Sequence, residues 1–245
     1  MDSPQDQLLV DNFNRVLLHA GWGDPIGGLW FVGIEEGSSW ADDPRSVAKW
    51  FDEDAKDRIR HLGGMTYEHG LGVVGLPPSR GSKVQRWVQT IVDGVRETDT
   101  RALQSTSPPL WAPGSRIFNT NLYPLARPAV SMQPRYFQTH FGVADAEAYK
   151  QIVHSTRFPA LASFRASAAP RAIVCFGKGF WDQFEKLLNL PPTDRKLGDD
   201  GKWGFHEGER VVLAPFFGYW HMNRDRATAI ARKLREWNVH DVLPA

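Results

Sequence analysis

The stretch that most constrains the fold of this chain is residues 29–37, LWFVGIEEG. Four consecutive apolar residues, rich in β-branched and aromatic types, predict a strand covered on both faces of a sheet. The glycines after it allow a tight turn that contains Glu35 and Glu36. In open α/β sheets, ligands bind beyond the carboxyl ends of the strands. Glu35 is therefore the leading catalytic candidate; the alternative is a carboxylate that only caps the next segment or stays solvated.

The rest of the chain alternates between strand-like and helix-like segments. Further apolar strands are predicted at residues 116–123, 171–177 and 210–214. Helical periodicity occurs at residues 6–19, 45–59, 84–96, 146–153, 158–168, 179–189 and 224–237. This alternation predicts an α/β fold with three α/β/α layers and a mostly parallel, central four-stranded sheet. We expect one domain over residues 1–245, with an inserted helix and an irregular loop at about residues 38–82.

Composition excludes several classes of protein. The chain has 29 Lys and Arg against 28 Asp and Glu, so only local segregation of charge could form a DNA-binding surface. Cys175 is the single cysteine, which excludes an internal disulfide and a four-cysteine iron–sulfur cluster. The histidines show no metal-ligand spacing, and we expect no metal or other cofactor. The N-terminal residues lack the features of a signal peptide, and no apolar run is long enough to span a membrane. We therefore expect a cytoplasmic protein without a membrane partner.

Polar side chains follow two further predicted strands. Asn121 lies at the end of the second strand, where an amide costs free energy unless its hydrogen bonds are made. It either pairs with backbone or is reserved for a ligand. His221 follows the fourth strand, and Asn223 is a suitable N-cap for the last helix. Glu35, Asn121 and His221 are therefore expected at one edge of the sheet.

These motifs and their order resemble those of the uracil-DNA glycosylase superfamily. Residues 33–37, GIEEG, are similar to its first motif, although Glu36 replaces the usual proline. Residues 119–128, NTNLYPLARP, look like its strand ending in a base-reading Asn with a later Arg-Pro. Residues 165–177 resemble its succession of helix, Pro, apolar strand and Gly. Of the family's final His-Pro-Ser motif, only the His has a counterpart in this chain, which is His221.

The resemblance implies a monofunctional DNA glycosylase of base excision, which works as a monomer without a cofactor and has DNA as its partner. It would hydrolyse the N-glycosidic bond of a flipped-out uracil or modified pyrimidine. Glu35 and His221 would be catalytic, and the base would contact Gly33, Ile34, Glu36 and Asn121. The expected DNA contacts are Tyr219, Trp220, Asn223, Arg224 and Arg127. The insertion and the altered last motif would suit a bulky modified base, as in defence against phage with modified DNA.

Two other classes of function are compatible with the sequence. The first is a non-catalytic DNA- or nucleotide-binding module on the same fold, which Glu36 and the altered last motif favour. The second is an unrelated α/β hydrolase that acts on nucleosides or another small molecule. The chain has no Gly-x-Ser-x-Gly elbow and no phosphate-binding P-loop, which weakens serine hydrolase and NTPase interpretations. The basic residues of the last helix can also form an ordinary solvated face.

Overall fold

The computed structural model of the protein describes residues 13–34, 59–68, 83–96, 110–125, 138, 141–218 and 221–244. Within these ranges, residues 13–17 form a short helical segment. The longer helices are α1 (Lys83–Arg96), α2 (Ala146–Ile152), α3 (Phe158–Ala168), α4 (Trp181–Leu188) and α5 (Arg224–Glu236). A π-helical turn, Val153–Arg157, connects α2 to α3. No helix in this described part of the chain is long and apolar enough to cross a membrane.

The strands of the described residues form a mixed sheet of nine strands. They are β1 (His19–Gly23), β2 (Leu29–Gly33), β3 (Ile59–Leu62), β4 (Met65–Glu68), β5 (Ile117–Asn121), β6 (Ala172–Phe176), β7 (Lys196–Leu197), β8 (Gly204–His206) and β9 (Val211–Ala214). Their order is β3-β4-β1-β5-β2-β6-β9-β8-β7. The pairs β2–β6 and β6–β9 are parallel, whereas β1–β5, β7–β8 and β8–β9 are antiparallel.

The class is therefore α/β, as predicted, but the prediction of a four-stranded, mostly parallel sheet is wrong. The four predicted strands are all present and are consecutive in the sheet, as β5-β2-β6-β9. The error lies in the shorter strands around them. β4 lies within the predicted insertion at about residues 38–82, and most of β1 lies between the predicted helix at residues 6–19 and the predicted strand that begins at Leu29.

The sequence does not predict strand β1, because glycines such as Gly21 and Gly23 usually interrupt a strand. In the structure, Gly21 lies opposite Thr120 in an antiparallel pair. A Cβ atom at Gly21 would lie 2.0 Å from the Asn119 carbonyl oxygen, and one at Gly23 would lie 2.3 Å from the Ile117 carbonyl oxygen. These glycines therefore permit a close approach of two backbones, which is a tertiary requirement that local periodicity does not reveal.

The chain divides into two compact units. One comprises residues 1–20, 34–67 and 121–167, and the other comprises residues 21–33, 68–120 and 168–245. This division does not test the expectation of a single domain, which stays a prediction. Most of the residues in the predicted insertion at 38–82 lie outside the described ranges.

In the second unit, the core forms around β2, β6 and β9, in which every residue is buried. Burial on both faces explains why these strands are continuous apolar runs. Helices α1 and α5 pack on the same core through Val88, Ile91, Ile230 and Leu234, among others. The two helices approach closely at Gly94, where a Cβ atom would lie 2.8 Å from the Cβ atom of Ala231.

The first unit has an aromatic core. The ring of Phe13 lies 5.5 Å from that of Phe141, and the Tyr149 ring lies 5.9 Å from the Tyr123 ring. Helix α2 begins at Asp145, whose carboxylate accepts a hydrogen bond from the Ala148 N–H over 2.8 Å. Such a cap satisfies one of the free N–H groups at the helix start.

Candidate functional site

The carboxyl ends of β2 and β5 lie side by side. The Leu29 N–H donates to the Arg116 carbonyl oxygen over 2.8 Å, and the Tyr123 N–H donates to the Ile34 carbonyl oxygen over 2.8 Å. Both strands advance in the same direction between these two bonds, so they run parallel. The chain therefore leaves Gly33 and Asn121 at the same edge of the sheet.

Asn121 is the last residue of β5, and its side chain is half-buried. Its carbonyl oxygen accepts hydrogen bonds from Arg157. Its side-chain amide, by contrast, has no hydrogen-bond partner within the described ranges. The sequence left two roles open for this amide, a hydrogen bond to backbone or to a ligand. Within the described residues, the amide does not pair with backbone.

Asn119 lies two residues earlier, on the same side of the strand as Asn121. Its side-chain oxygen is buried and has no hydrogen-bond partner in the part of the chain that the structure describes. A buried amide oxygen without a partner is costly. In the sequence, Asn119 is only part of the strand motif at residues 119–128, and no separate role is predicted for it.

Arg157 is the main feature of the site that sequence reasoning missed. It is 1% exposed and ends the π-helical turn. Its Nη1 donates to the carbonyl oxygens of Leu17 and His19 over 2.7 Å each. Its Nε lies 3.1 Å from the Leu122 oxygen and 3.2 Å from the Asn121 oxygen, and its Nη2 lies 2.8 Å from the Asn121 oxygen. One buried guanidinium therefore binds four main-chain carbonyl groups, which we call the Arg157 clamp.

The charge state of this clamp follows from burial. Desolvation lowers the pKa of Arg157 to about 10, so the guanidinium stays protonated at neutral pH. Burial, and after it the charge of Arg157, lower the pKa of His19 to about 3. His19 is therefore neutral beside the buried cation. No periodicity in the sequence indicates this pair, because its members are 138 residues apart.

The segment that follows Asn121 has further anchors. The Leu125 N–H donates to the Tyr149 hydroxyl oxygen over 3.0 Å. The Tyr123 hydroxyl lies 3.4 Å from Nε2 of His154, whose ring packs 4.6 Å from that of Phe158. Helix α2 and the π-helical turn thus hold the chain that follows the strand end.

The carboxyl ends of β6 and β9 meet in the second unit. The Gly177 N–H and the indole Nε1 of Trp181 both donate to the Ala214 carbonyl oxygen, over 3.0 and 3.2 Å. The Nζ of Lys178 and the Cζ of Arg195 each lie 5.4 Å from the Trp181 ring. Lys178 is exposed two residues after the end of β6 and was not among the predicted DNA contacts.

The start of α5 agrees with the sequence. The Asn223 side-chain oxygen accepts from the Arg226 N–H over 2.9 Å, which confirms the predicted N-cap. The imidazole of His221 and the side chain of Arg224 are exposed. The carbonyl oxygen of His221 accepts a hydrogen bond from the Arg226 guanidinium.

The basic residues of α5 are divided between different contacts. Arg226 forms an ion pair with Asp200 over 2.6 Å. Lys233 lies 2.5 Å from Glu236 and 3.5 Å from Glu207, and its Nζ is 4.6 Å from the Phe205 ring. These two cations are thus engaged within the fold, which leaves Arg224 as the exposed cation at the start of the helix.

Several predicted site residues lie outside the described residues, namely Glu35, Glu36, Arg127, Tyr219 and Trp220. Among those described, Ile34 and Asn121 are brought together through Tyr123. Gly33, His221, Asn223 and Arg224 belong to the second unit. In the described ranges, no three His, Cys, Asp or Glu side chains are grouped so that they could hold a metal ion.

Comparison of the chain with protein-family models finds no match, and no curated protein matches it.

Proposed function

We propose that this protein is a DNA glycosylase that hydrolyses the N-glycosidic bond of a flipped-out uracil or modified pyrimidine. The observation that carries the proposal is the half-buried amide of Asn121 at the end of β5, which no described residue engages. The hydrogen bond from Tyr123 to Ile34 supports it, because it joins this strand end to the one that leads into Glu35.

The amide of Asn121 offers one acceptor and two donors on a fixed plane. A pyrimidine with a 4-oxo group presents the complementary O4 acceptor and N3–H donor. An enzyme that acts on a base must take it out of the stack and read this edge in a pocket. Asn121 is therefore the residue that would select the base, with the Gly33–Ile34 backbone and Glu36 as further contacts.

The chemical step needs two charges to be stabilised. As the bond from C1′ to the base nitrogen breaks, positive charge grows on the sugar and negative charge on the base oxygen. We assign to Glu35 the orientation of the water that adds to C1′, and to an imidazole N–H of His221 a hydrogen bond to the base oxygen. Removal of one such donor typically costs about 10²–10³ in rate.

DNA binding would use the start of α5. Arg224 is exposed at the first residue of this helix, where the partial positive charge of the helix N-terminus also favours a phosphate. Asn223, Arg127, Tyr219 and Trp220 remain proposed contacts, the last two as wedges for the gap left by the flipped nucleotide. Because the Asn223 side-chain oxygen caps the helix, only its N–H₂ group is left for DNA.

The test is strand cleavage after alkali treatment of labelled oligonucleotides that carry uracil, hypoxanthine, a thymine mismatch or a bulky modified cytosine. Wild type is compared with Glu35→Gln and Asn121→Ala. Asn14→Ala serves as the matched control, because Asn14 is exposed on the helical segment at residues 13–17. We expect breaks with wild type and the control, and a loss of at least about 10²-fold with the two site variants.

The alternative is a non-catalytic binding module on the same fold. It predicts no breaks on any substrate together with DNA binding that weakens as salt rises. A salt titration of wild type and Arg224→Ala on the same oligonucleotides therefore distinguishes the two functions.

A further inference from the structure

The Arg157 clamp acts on the backbone of the residue that is proposed to read the base. Two of its three guanidinium nitrogens, Nε and Nη2, donate to the carbonyl oxygen of Asn121, and Nε also donates to that of Leu122. The direction of a side chain depends on the orientation of its own peptide units. Because the Asn121 carbonyl belongs to one of these units, holding it restricts the direction in which the Asn121 side chain leaves the backbone.

The opposite side of the guanidinium is held just as firmly. Its Nη1 donates to the carbonyl oxygens of Leu17 and His19, so the clamp ties the end of β5 to the backbone that leads into β1. Arg157 is fully buried, and only a planar fork with donors on several edges can serve four carbonyl groups at once. Lysine carries the same charge, but as a single point with three donors.

The π-helical turn provides the position from which Arg157 reaches these groups. Val153–Arg157 is a π-helical turn between α2 and α3, and such turns are rare and frequently occur at functional sites. The same helical region supplies the Tyr149 hydroxyl, which accepts from the Leu125 N–H. The segment from Asn121 to Leu125 is therefore anchored at its start by Arg157 and at its end by Tyr149.

We propose that Arg157 is a positioning residue for base recognition: by holding the carbonyl groups of Asn121 and Leu122, it orients the Asn121 amide toward a 4-oxo pyrimidine and against a 4-amino pyrimidine. This inference rests on the proposed glycosylase function. Arg157 does not touch the base; it acts through Asn121. A buried cation that served stability alone would not affect the choice between two bases.

The experiment measures the ratio of excision rates for uracil and cytosine. Each base is placed opposite an abasic site, so that differences in base pairing do not contribute. Wild type, Arg157→Lys and Arg157→Gln are compared under single-turnover conditions, with Arg15→Lys as the control at an exposed arginine. We expect the uracil-to-cytosine ratio to fall about 10- to 100-fold in the Arg157 variants, because small misplacements of a positioned group cost up to about 10² in rate.

A double-mutant cycle shows whether the effect passes through Asn121. In an Asn121→Ala background, Arg157→Lys should change the ratio by less than about twofold, because the amide that it orients is gone. A ratio that stays at the wild-type value in folded Arg157→Lys overturns the inference. The inference is also overturned if Arg157→Lys lowers the ratio equally in the wild-type and Asn121→Ala backgrounds.

Two further outcomes of this experiment are variants that do not fold and a wild type that shows no excision. If both Arg157 variants fail to fold, Tyr149→Phe replaces them, since it releases the Leu125 end of the same segment and leaves the buried cation in place. The ratio must then fall at least about threefold, or the inference is wrong. If wild type excises no base, the proposed function fails, and the inference falls with it; an active wild type with an unchanged ratio rejects only the role of Arg157.

Discussion

The main-chain N–H of Tyr123 donates to the carbonyl oxygen of Ile34 over 2.8 Å, two residues beyond the end of β5 and one beyond the end of β2. This bond extends the pairing of the two strands past the sheet itself. It holds together the chain segments that contain the two motifs of the proposed glycosylase. Glu35 comes after β2 in the sequence, and Asn121 is the last residue of β5. These two residues are 86 positions apart in the sequence, but the strands β2 and β5 are adjacent in the sheet.

Removal of the buried cation should destabilise the first unit. Arg157→Met leaves four carbonyl groups, three of them buried, without their charged donor, and a lost hydrogen bond to a charged group costs about 1.5–3 kcal/mol. We expect the free energy of unfolding to fall by at least about 3 kcal/mol in urea titrations. Arg15→Met, at an exposed position, should change it by less than about 0.5 kcal/mol. Equal effects of the two substitutions would contradict the clamp.

Acidification should destabilise the protein through His19. The pKa of this imidazole is about 3 in the folded protein, against 6.5 for an ordinary histidine, so the unfolded chain binds the proton first. The stabilisation is present above pH 6.5 and is lost as the pH falls toward 3, by at most about 1.4 kcal/mol per pH unit. Urea titrations from pH 7 to 4 should show a shallower decline for His19→Asn than for wild type. Parallel curves would show that His19 is not the group responsible.

Helices α1 and α5 should not tolerate a methyl group at Gly94, where they approach closely. An exposed Gly→Ala change inside a helix normally stabilises by about 0.5–1 kcal/mol. At Gly94 the new Cβ atom would lie 2.8 Å from that of Ala231, so we expect Gly94→Ala to lower the melting temperature instead. Adding Ala231→Gly should recover part of the loss. A higher melting temperature for the single variant would mean that the helices move apart without cost.

The N-cap of α5 should affect stability and DNA binding differently. Asn223→Ala removes the hydrogen bond to the Arg226 N–H and should cost about 1 kcal/mol in thermal unfolding. Asn223→Asp keeps a capping oxygen and should retain that stability. If the amide N–H₂ group contacts a phosphate, as proposed, both variants should bind DNA more weakly than wild type. Wild-type affinity in Asn223→Asp would remove Asn223 from the list of DNA contacts.

The strand ends of the candidate site were predictable because they depend on local signals. Gly33 ends β2 and Asn121 ends β5, as the apolar runs indicate. The Arg157 clamp was not predictable, since an arginine in a helical segment normally lies at the surface. Its burial depends on carbonyl groups that come from Leu17, His19 and Asn121, far away in the sequence.

For the charged residues of the last helix, too, the sequence predicts the position and the tertiary structure decides the contacts. The sequence places five basic residues between Arg224 and Arg235. It does not show that Arg226 pairs with Asp200 or that Lys233 pairs with Glu207, because both acids come from the region around the β7–β8 hairpin. Only the tertiary contacts distinguish a cation that is exposed from one that is engaged within the fold.

By itself, the sequence determined the four central strands, helix α3 with its observed ends, and the Asn223 cap, because hydrophobic periodicity and capping are properties of neighbouring residues. The tertiary structure alone decided that the glycine-rich β1 joins the sheet, that Arg157 is buried and that nine strands pair within the described residues. These features depend on contacts between residues that are distant in the chain, and local patterns carry no signal for the partner that such a residue meets.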